Sequence, residues 1–254
     1  MSTLELEHLK HSSASGNNIT LAADGSVTVD TTTLKVDATN NRVGIGTTSP
    51  TQSLETTGNI FVNSSGNPFL EVKTSGAGNN PFIRIKADTN YWDLQSLFSN
   101  TNDELDFRYN GTSKMMMTKD GVMTKPAQPG FFAYNQPAVA AGNYVVGGAV
   151  QHNIGNHFNS STGTFTVPVA GRYHFVAGLL TSAGTANSRL EMQININGSG
   201  IISGNESCGN NQHGSAVLSA LLNLQVNDSI RHYLISGTMH NGHSNNYFGC
   251  YLIG

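Results

Sequence analysis

Apolar side chains recur along this chain mostly at every second position, in short runs separated by turn residues. Ile19/Leu21, Val27/Val29, Leu34/Val36, Val43/Ile45 and Ile60/Phe61/Val62 are such runs. Asp24-Gly25, Asn40-Asn41, Gly58-Asn59 and Gly66-Asn67 stand between or beside them. Period-2 patterning with turns of this chemistry predicts strands, and positive φ is inexpensive at Gly and Asn. A helical period is absent beyond Leu4, Leu6 and Leu9. From about residue 68 the runs lengthen to 69–73, 82–86, 91–97, 104–109 and 114–118, with Asn110-Gly111 and Asp120-Gly121 as hairpin signals. Met115-Met116-Met117 lies in the last of these, so neighbouring methionines face opposite sides and a packing role is expected.

Two halves differ in chemistry. Residues 131–254 contain no lysine, and their charged side chains are Arg172, Arg189, Glu191, Glu206, Asp228 and Arg231. Lys125-Pro126-Ala-Gln-Pro129-Gly130 joins the halves as a stiff linker, because two prolines enforce extended backbone. The early strands carry two or three apolar side chains each and much Ser and Thr. One chain cannot bury enough apolar surface there to offset about 1–2 kcal/mol of backbone entropy per residue. Either the segment is disordered or several chains intertwine around a shared core. The regular spacing and β-branched content favour the second. For 67–125 two architectures stay open, a small β-sandwich and a thicker interwoven prism.

The bulk numbers exclude several classes. No apolar run is long enough for a transmembrane helix, so membrane insertion is not expected. The opening Met1-Ser-Thr-Leu-Glu-Leu-Glu-His-Leu-Lys10 has acidic residues and no apolar core, so no secretory signal is expected. A net charge of −3 gives no basic footprint for nucleic acid. Two cysteines, Cys208 and Cys250, are too few for a disulfide framework and are expected to stay reduced and unpaired.

Two resemblances add to this. Arg42-Val-Gly-Ile-Gly-Thr-Thr-Ser-Pro-Thr-Gln-Ser-Leu54 with Gly58-Asn-Ile60 resembles a recurring element of phage tail-fibre proteins, implying a trimeric shaft. Gly163-Thr-Phe-Thr-Val-Pro-Val-Ala-Gly-Arg-Tyr-His-Phe175 and Phe248-Gly-Cys-Tyr-Leu-Ile-Gly254 resemble the globular head of complement component 1q and the tumour-necrosis-factor family. Phe131-Phe-Ala-Tyr134, the run 150–165 and Leu222–Ile230 follow in family order, with Asn227 where Gly is usual and Cys250 in place of a small residue. That resemblance implies a jelly-roll head that works as a trimer.

The expected whole is all-β: an intertwined trimeric shaft followed by a complement 1q/TNF-like β-sandwich head. Residues 1–20 form a virion-anchoring segment, 21–66 a repetitive shaft and 67–125 a β-rich shaft domain. Residues 126–130 are the linker and 131–254 the head. In the head, 168–171, 197–200 and 226–228 are short turns, whereas 181–187, 204–213 and 237–246 are long and rich in Gly, Asn, Ser and His. The resemblance puts the termini at the short-turn end, so the long loops crowd the far tip, where binding residues concentrate.

The candidate receptor-binding residues are Asn210, Asn211, His213, His240, Asn241, His243, Asn245 and Tyr247. Their nearly uncharged setting suits a neutral glycan. Deleting 237–246 is expected to abolish adsorption. His240-x-x-His243 reads as loop histidines rather than a metal site, and His174 and His232 as interfacial or surface packing beside aromatics. Asp88, Asp93, Asp103, Glu104 and Asp106 read as solvated turn residues rather than a glycosidase pair.

No catalytic residue, cofactor or metal is therefore expected. The expectation is a homotrimeric viral tail fibre, assembled in host cytoplasm and located on the virion. Its N-terminus meets other tail or capsid proteins and its head meets a host surface glycan or protein. The alternative is a structural virion appendage whose head mainly drives trimerisation, and a third reading is a polysaccharide depolymerase.

Overall fold

The computed structural model describes residues 8–9, 12, 14–16, 18–30, 33–63, 65–66, 69–75, 79–98, 103–182, 188–209 and 211–254. Every regular element among them is a strand. The chain divides into two compact units, Met1–Glu71 and Val72–Gly254.

In the first unit β1 (His8–Leu9), β2 (Ile19–Leu21), β3 (Val27–Val29), β4 (Leu34–Asp37), β5 (Arg42–Ile45) and β6 (Leu54–Thr56) form one sheet in sequence order. The first five are antiparallel, and the register sets Ile19 opposite Val29, Val27 opposite Val36, and Val36 opposite Val43. Strand β6 instead runs parallel to β5. The loop between them explains the glycines of the 42–54 motif. Arg42 Nη1 donates to the Pro50 carbonyl at 2.9 Å and the Val43 amide to Ser53 O at 2.8 Å, folding the loop back on β5. Gly46 sits at φ +76°, and a Cβ there would run into the Thr57 hydroxyl. Thr51 donates through both its amide and its hydroxyl to Glu55 Oε2, at 2.7 and 2.8 Å.

Among the described residues of this unit no large apolar side chain is buried, and Phe61 and Phe69 are 85% and 80% exposed. The expected strands at 60–62 and 69–73 do not form. Their apolar pattern has no ladder partner among the described residues of the same chain, and a strand exists only when paired.

The second unit opens with a five-stranded antiparallel meander. Its strands are β7 (Phe82–Ala87), β8 (Asn90–Phe98), β9 (Asp103–Tyr109), β10 (Thr112–Thr118) and β11 (Met123–Thr124). Asn110 and Gly111, at φ +46° and +79°, make the tight turn from β9 to β10. This is one sheet, not a two-sheet sandwich. Asp93 lies on β8 and Asp106 on β9, both buried against arginines. Reading those two as solvated turn residues was therefore incorrect; each sits mid-strand where an arginine neutralises it. The register alternates Met115, Met116 and Met117 across the faces, with Met115 beside Phe107 and Met116 beside Asp106.

The remainder packs two sheets face to face. Its strands are β12 (Gly130–Tyr134), β13 (Asn143–Tyr144), β14 (Ala149–Ile154), β15 (Phe158–Asn159), β16 (Thr164–Thr166) and β17 (Gly171–Leu180). They continue with β18 (Ser188–Ile196), β19 (Ser199–Cys208), β20 (Ser215–Leu224), β21 (Ser229–Ser236) and β22 (Tyr247–Leu252). One sheet has the order β14-β12-β22-β17-β20, the other β15-β16-β21-β18-β19 with β13 alongside β21. Apart from the β15–β16 and β18–β19 hairpins, successive strands cross between the layers, as in a jelly roll. The core between them is aromatic: Phe131 stacks on Phe158 at 4.0 Å, and Phe248 lies 5.1 Å from Phe131 and 5.8 Å from Phe175. Leu190, Met192, Ile194 and Leu234 fill the other sheet's side. Burial of each such side chain is worth about 1.5–3 kcal/mol, so this head carries the core that the first unit lacks.

Candidate functional site

The two ends of the head differ in construction. At one end the chain enters and leaves. The Leu252 amide donates to Pro129 O at 3.0 Å and the Arg172 amide to Gly254 O at 2.8 Å. Short turns close this end. Tyr173 donates its hydroxyl to Val169 O at 2.8 Å across the Pro168 turn, and Asn197 Nδ2 donates to Asp228 Oδ1 at 2.8 Å. Asn227, at φ +71°, takes the left-handed position usually given to Gly.

At the other end four longer segments converge, around 135–142, 181–182, 211–214 and 237–246. Thr181 is one junction: its amide donates to Gly214 O and its hydroxyl accepts from the Gly214 amide, both at 2.8 Å. The same hydroxyl lies 3.2 Å from Cys208 Sγ, and Thr181 pairs with Met239 in an isolated bridge. Asn246 is the second junction. Fully buried, it accepts from the Leu180 amide at 2.9 Å and donates from Nδ2 to Gln136 O at 3.0 Å and His240 O at 2.6 Å. Sequence reading passed over Asn246, since nothing in a Gly/Asn/His run separates the buried organiser from its exposed neighbours.

On this frame His213, His240 and His243 stand in a row, with ring centroids 5.3 Å apart at each step. His213 Nδ1 donates to Thr181 O at 2.6 Å and His240 Nδ1 to Asn241 O at 3.1 Å, since a carbonyl can only accept. His243 Nδ1 accepts from the Asn245 amide at 3.1 Å, so its Nε2 carries the proton. Neighbouring imidazoles, able to donate or accept hydrogen bonds, suit a hydroxyl-rich ligand. Asn241 Oδ1 accepts from the Ala138 amide at 3.0 Å. Asn211 is exposed on the neighbouring loop at φ +56°, and Asn210 lies outside the described residues.

Tyr247 stands apart. It lies on the outward face of the β14-β12-β22-β17-β20 sheet, 6.0 Å from the Phe132 ring. Phe132 also approaches Tyr134 and His152, and on the same face His174 lies 5.4 Å from Tyr251 and 2.8 Å from Ser219 Oγ. His232, read from sequence as interfacial or surface packing, is instead wholly buried; burial pushes its pKa down to about 3. The β21 register turns it inward, 5.5 Å from the Phe248 ring. Among the described residues no group of three His, Cys, Asp or Glu is placed to hold a metal ion, and no helix is long and apolar enough to cross a membrane. Cys208 and Cys250 are free and buried.

Comparison with known proteins bears on the head. The C1q domain family matches residues 130–253. Among solved structures, the globular domain of zebrafish complement 1qA protein is 19% identical, with a TM-score of 0.41, covering 50% of this chain and 98% of that one. Eiger TNF from S. frugiperda is 9% identical, with a TM-score of 0.43, covering 50% and 94%. Murine APRIL at pH 5.0 is 10% identical, with a TM-score of 0.39, covering 50% and 99%. No curated protein matches the chain. With the two-sheet topology and the aromatic core, the family match marks residues 130–253 as a C1q-like jelly-roll domain.

Proposed function

We propose that this chain is a homotrimeric attachment fibre of a virion, holding a host-surface receptor at the loop-bearing end of its C1q/TNF-like head. The observation that carries this is the polarity of the head. The chain enters and leaves at the short-turn end, so the opposite end faces outward, and there Thr181 and Asn246 gather long loops with almost no charged side chains. Loops held on a rigid scaffold are suited to recognition. The row His213, His240, His243 with Asn211, Asn241 and Asn245 fits the hydroxyls of a neutral glycan. Symmetry multiplies weak contacts into avidity. The fibre context rests on the 42–54 motif and on the uncovered apolar side chains of the first unit. Trimerisation has support in the outward sheet face, where Val217, Leu221 and Tyr251 are 59%, 58% and 55% exposed.

The test is binding of the full chain to an array of neutral and anionic surface glycans, for wild type and His240→Ala/His243→Ala. Removing 237–246 outright is a poor test, because Asn246 within it holds Leu180 and Gln136 together. Binding to neutral glycans that the double variant loses at unchanged mass supports the reading. Binding unaffected by the variant refutes the tip as the contact. The exposed outward sheet face also favours a second reading, an appendage whose head serves chiefly to trimerise. Light-scattering mass of three chains with no binding to any glycan or cell is its signature.

A further inference from the structure

Three asparagines of this chain stand directly before a glycine: Asn110-Gly111, Asn197-Gly198 and Asn241-Gly242. All three are exposed, and each side-chain carbonyl accepts from a backbone amide. Asn110 Oδ1 accepts from Tyr91 at 2.9 Å, Asn197 Oδ1 from Ser229 at 2.8 Å and Asn241 Oδ1 from Ala138 at 3.0 Å. The side-chain nitrogens differ. Asn110 Nδ2 donates to Asn90 Oδ1 at 2.9 Å and Asn197 Nδ2 to Asp228 Oδ1 at 2.8 Å. Asn241 Nδ2 has no hydrogen-bond partner among the described residues. The backbones differ as well. Asn110 and Asn197 hold left-handed φ angles of +46° and +51° in tight turns, clamped by Tyr109 opposite Thr112 and Ile196 opposite Ser199. Asn241 lies outside every strand, in the 237–246 loop, and its φ is not left-handed.

We propose that Asn241 is a self-modifying site, its carboxamide converted to a carboxylate through attack by the neighbouring Gly242 amide. The Gly242 nitrogen loses its proton to solvent and bonds to Asn241 Cγ. The Cγ–Nδ2 bond then breaks, and ammonia leaves with a proton taken back from solvent. The cyclic imide so formed takes up water at either carbonyl, giving aspartate or isoaspartate, and no oxidant or reductant enters. The loop serves each step. Negative charge develops on Asn241 Oδ1, where the Ala138 amide already donates. The leaving nitrogen has no bond to give up. The attacking amide releases only a 3.2 Å bond to Gln136 O, and that carbonyl keeps Asn246 Nδ2 as a donor at 3.0 Å. No side chain stands on Gly242 to bar the approach, and the space where a Cβ would sit is open. The product is a carboxylate between His240 and His243 in loops with almost no charge of their own.

The experiment holds the full chain at neutral pH and body temperature for weeks. The Asn-Gly peptides are followed by mass spectrometry that resolves aspartate from isoaspartate, with a parallel sample unfolded in denaturant. Expected in the folded chain is conversion at Asn241 roughly tenfold ahead of Asn110 and Asn197, the scale of a hydrogen bond held in the ground state. In denaturant the lead disappears, because the three dipeptides then share the same freedom. Gly242→Ala, whose added Cβ meets no neighbouring atom, should slow Asn241 several-fold. Conversion at Asn241 no faster than at the two hairpin sites overturns the proposal. So does a lead that persists in denaturant, since the fold would not be its cause. A wild-type rate in Gly242→Ala overturns the imide route. The comparison of sites within the wild-type chain decides even if the variant does not fold. On the tip-binding reading, the converted chain also loses binding to neutral glycans. Conversion with binding unchanged counts against that reading and leaves the modification standing.

Discussion

Asn246 Oδ1 accepts a hydrogen bond from the Leu180 amide at 2.9 Å, tying the end of one head strand to the loop that leads into the last. Its Nδ2 serves Gln136 O and His240 O, so one buried amide joins three segments. Leaving a buried backbone group without its partner costs about 1–3 kcal/mol. Asn246→Ala is therefore expected to lower head stability by about 3 kcal/mol or more in denaturant unfolding of the full chain. Asn245→Ala, at a half-buried neighbour, should fall within about 0.5 kcal/mol of wild type. Equal effects from the two would remove Asn246 from its organising role.

Gly46 poses the corresponding question for the first unit. At φ +76°, with the Thr57 hydroxyl where a Cβ would stand, Gly46→Ala faces both backbone strain and a collision. The left-handed position alone costs roughly 1–2 kcal/mol. Expected is faster limited proteolysis within residues 42–58, while the unfolding transition of the head stays in place. Wild-type protection in the variant would show that the turn between β5 and β6 relaxes freely.

The strands of the head and of β7–β10 were legible because alternation, Asn-Gly turns and the family motif all pointed to the same elements. The polarity of the head came from the family resemblance together with short turns alternating with long loops, although 204–208, read as loop, continues strand β19. Other features were not legible. Strand β6 pairs parallel with β5 through a loop closed by Arg42 and Glu55, and local periodicity carries no sign of a parallel partner. His232 alternates with Arg231 and Tyr233, and only the sheet register decides which of them faces the core. Asp93 and Asp106 appeared as loop acids until β8 and β9 placed them beside Arg84 and Arg108. In each case the deciding contact is distant in sequence, beyond the reach of spacing.

Cys250 supplies a test of the head core. It pairs in register with both Phe131 and Phe175, and burial pushes its thiol well above the usual range for cysteine. The thiolate is the reacting species, so a buried thiol of this kind is inert. Mixing native protein with a maleimide at neutral pH should leave Cys250 unmodified over hours, and unfolding in denaturant should release it to rapid labelling. Prompt native labelling at Cys250, mapped by mass spectrometry, would place it outside the core.

His232 makes the stability of the head depend on pH, with a sign fixed by its burial. Its Nε2 lies 3.1 Å from Met192 Sδ, and its Nδ1 is buried with no hydrogen-bond partner in the structure. Burial lowers its pKa from 6.5 to about 3, so the folded head holds the neutral ring. Between those two values the unfolded chain takes up a proton that the folded chain refuses. Stability contributed by the neutral ring is thus complete above pH 6.5 and declines as pH falls toward 3. At about 1.4 kcal/mol per pH unit, the loss across the window is on the order of 4–5 kcal/mol per chain. Denaturant unfolding of wild type and His232→Leu from pH 3.5 to 7.5 is the direct check. The variant, lacking the titrating ring, should lose most of the acid-side slope while the carboxylates leave a smaller common decline. Identical slopes in the two proteins would mean that His232 is protonated inside the folded head, and the packing of β21 against β18 would need a solvent path to that ring.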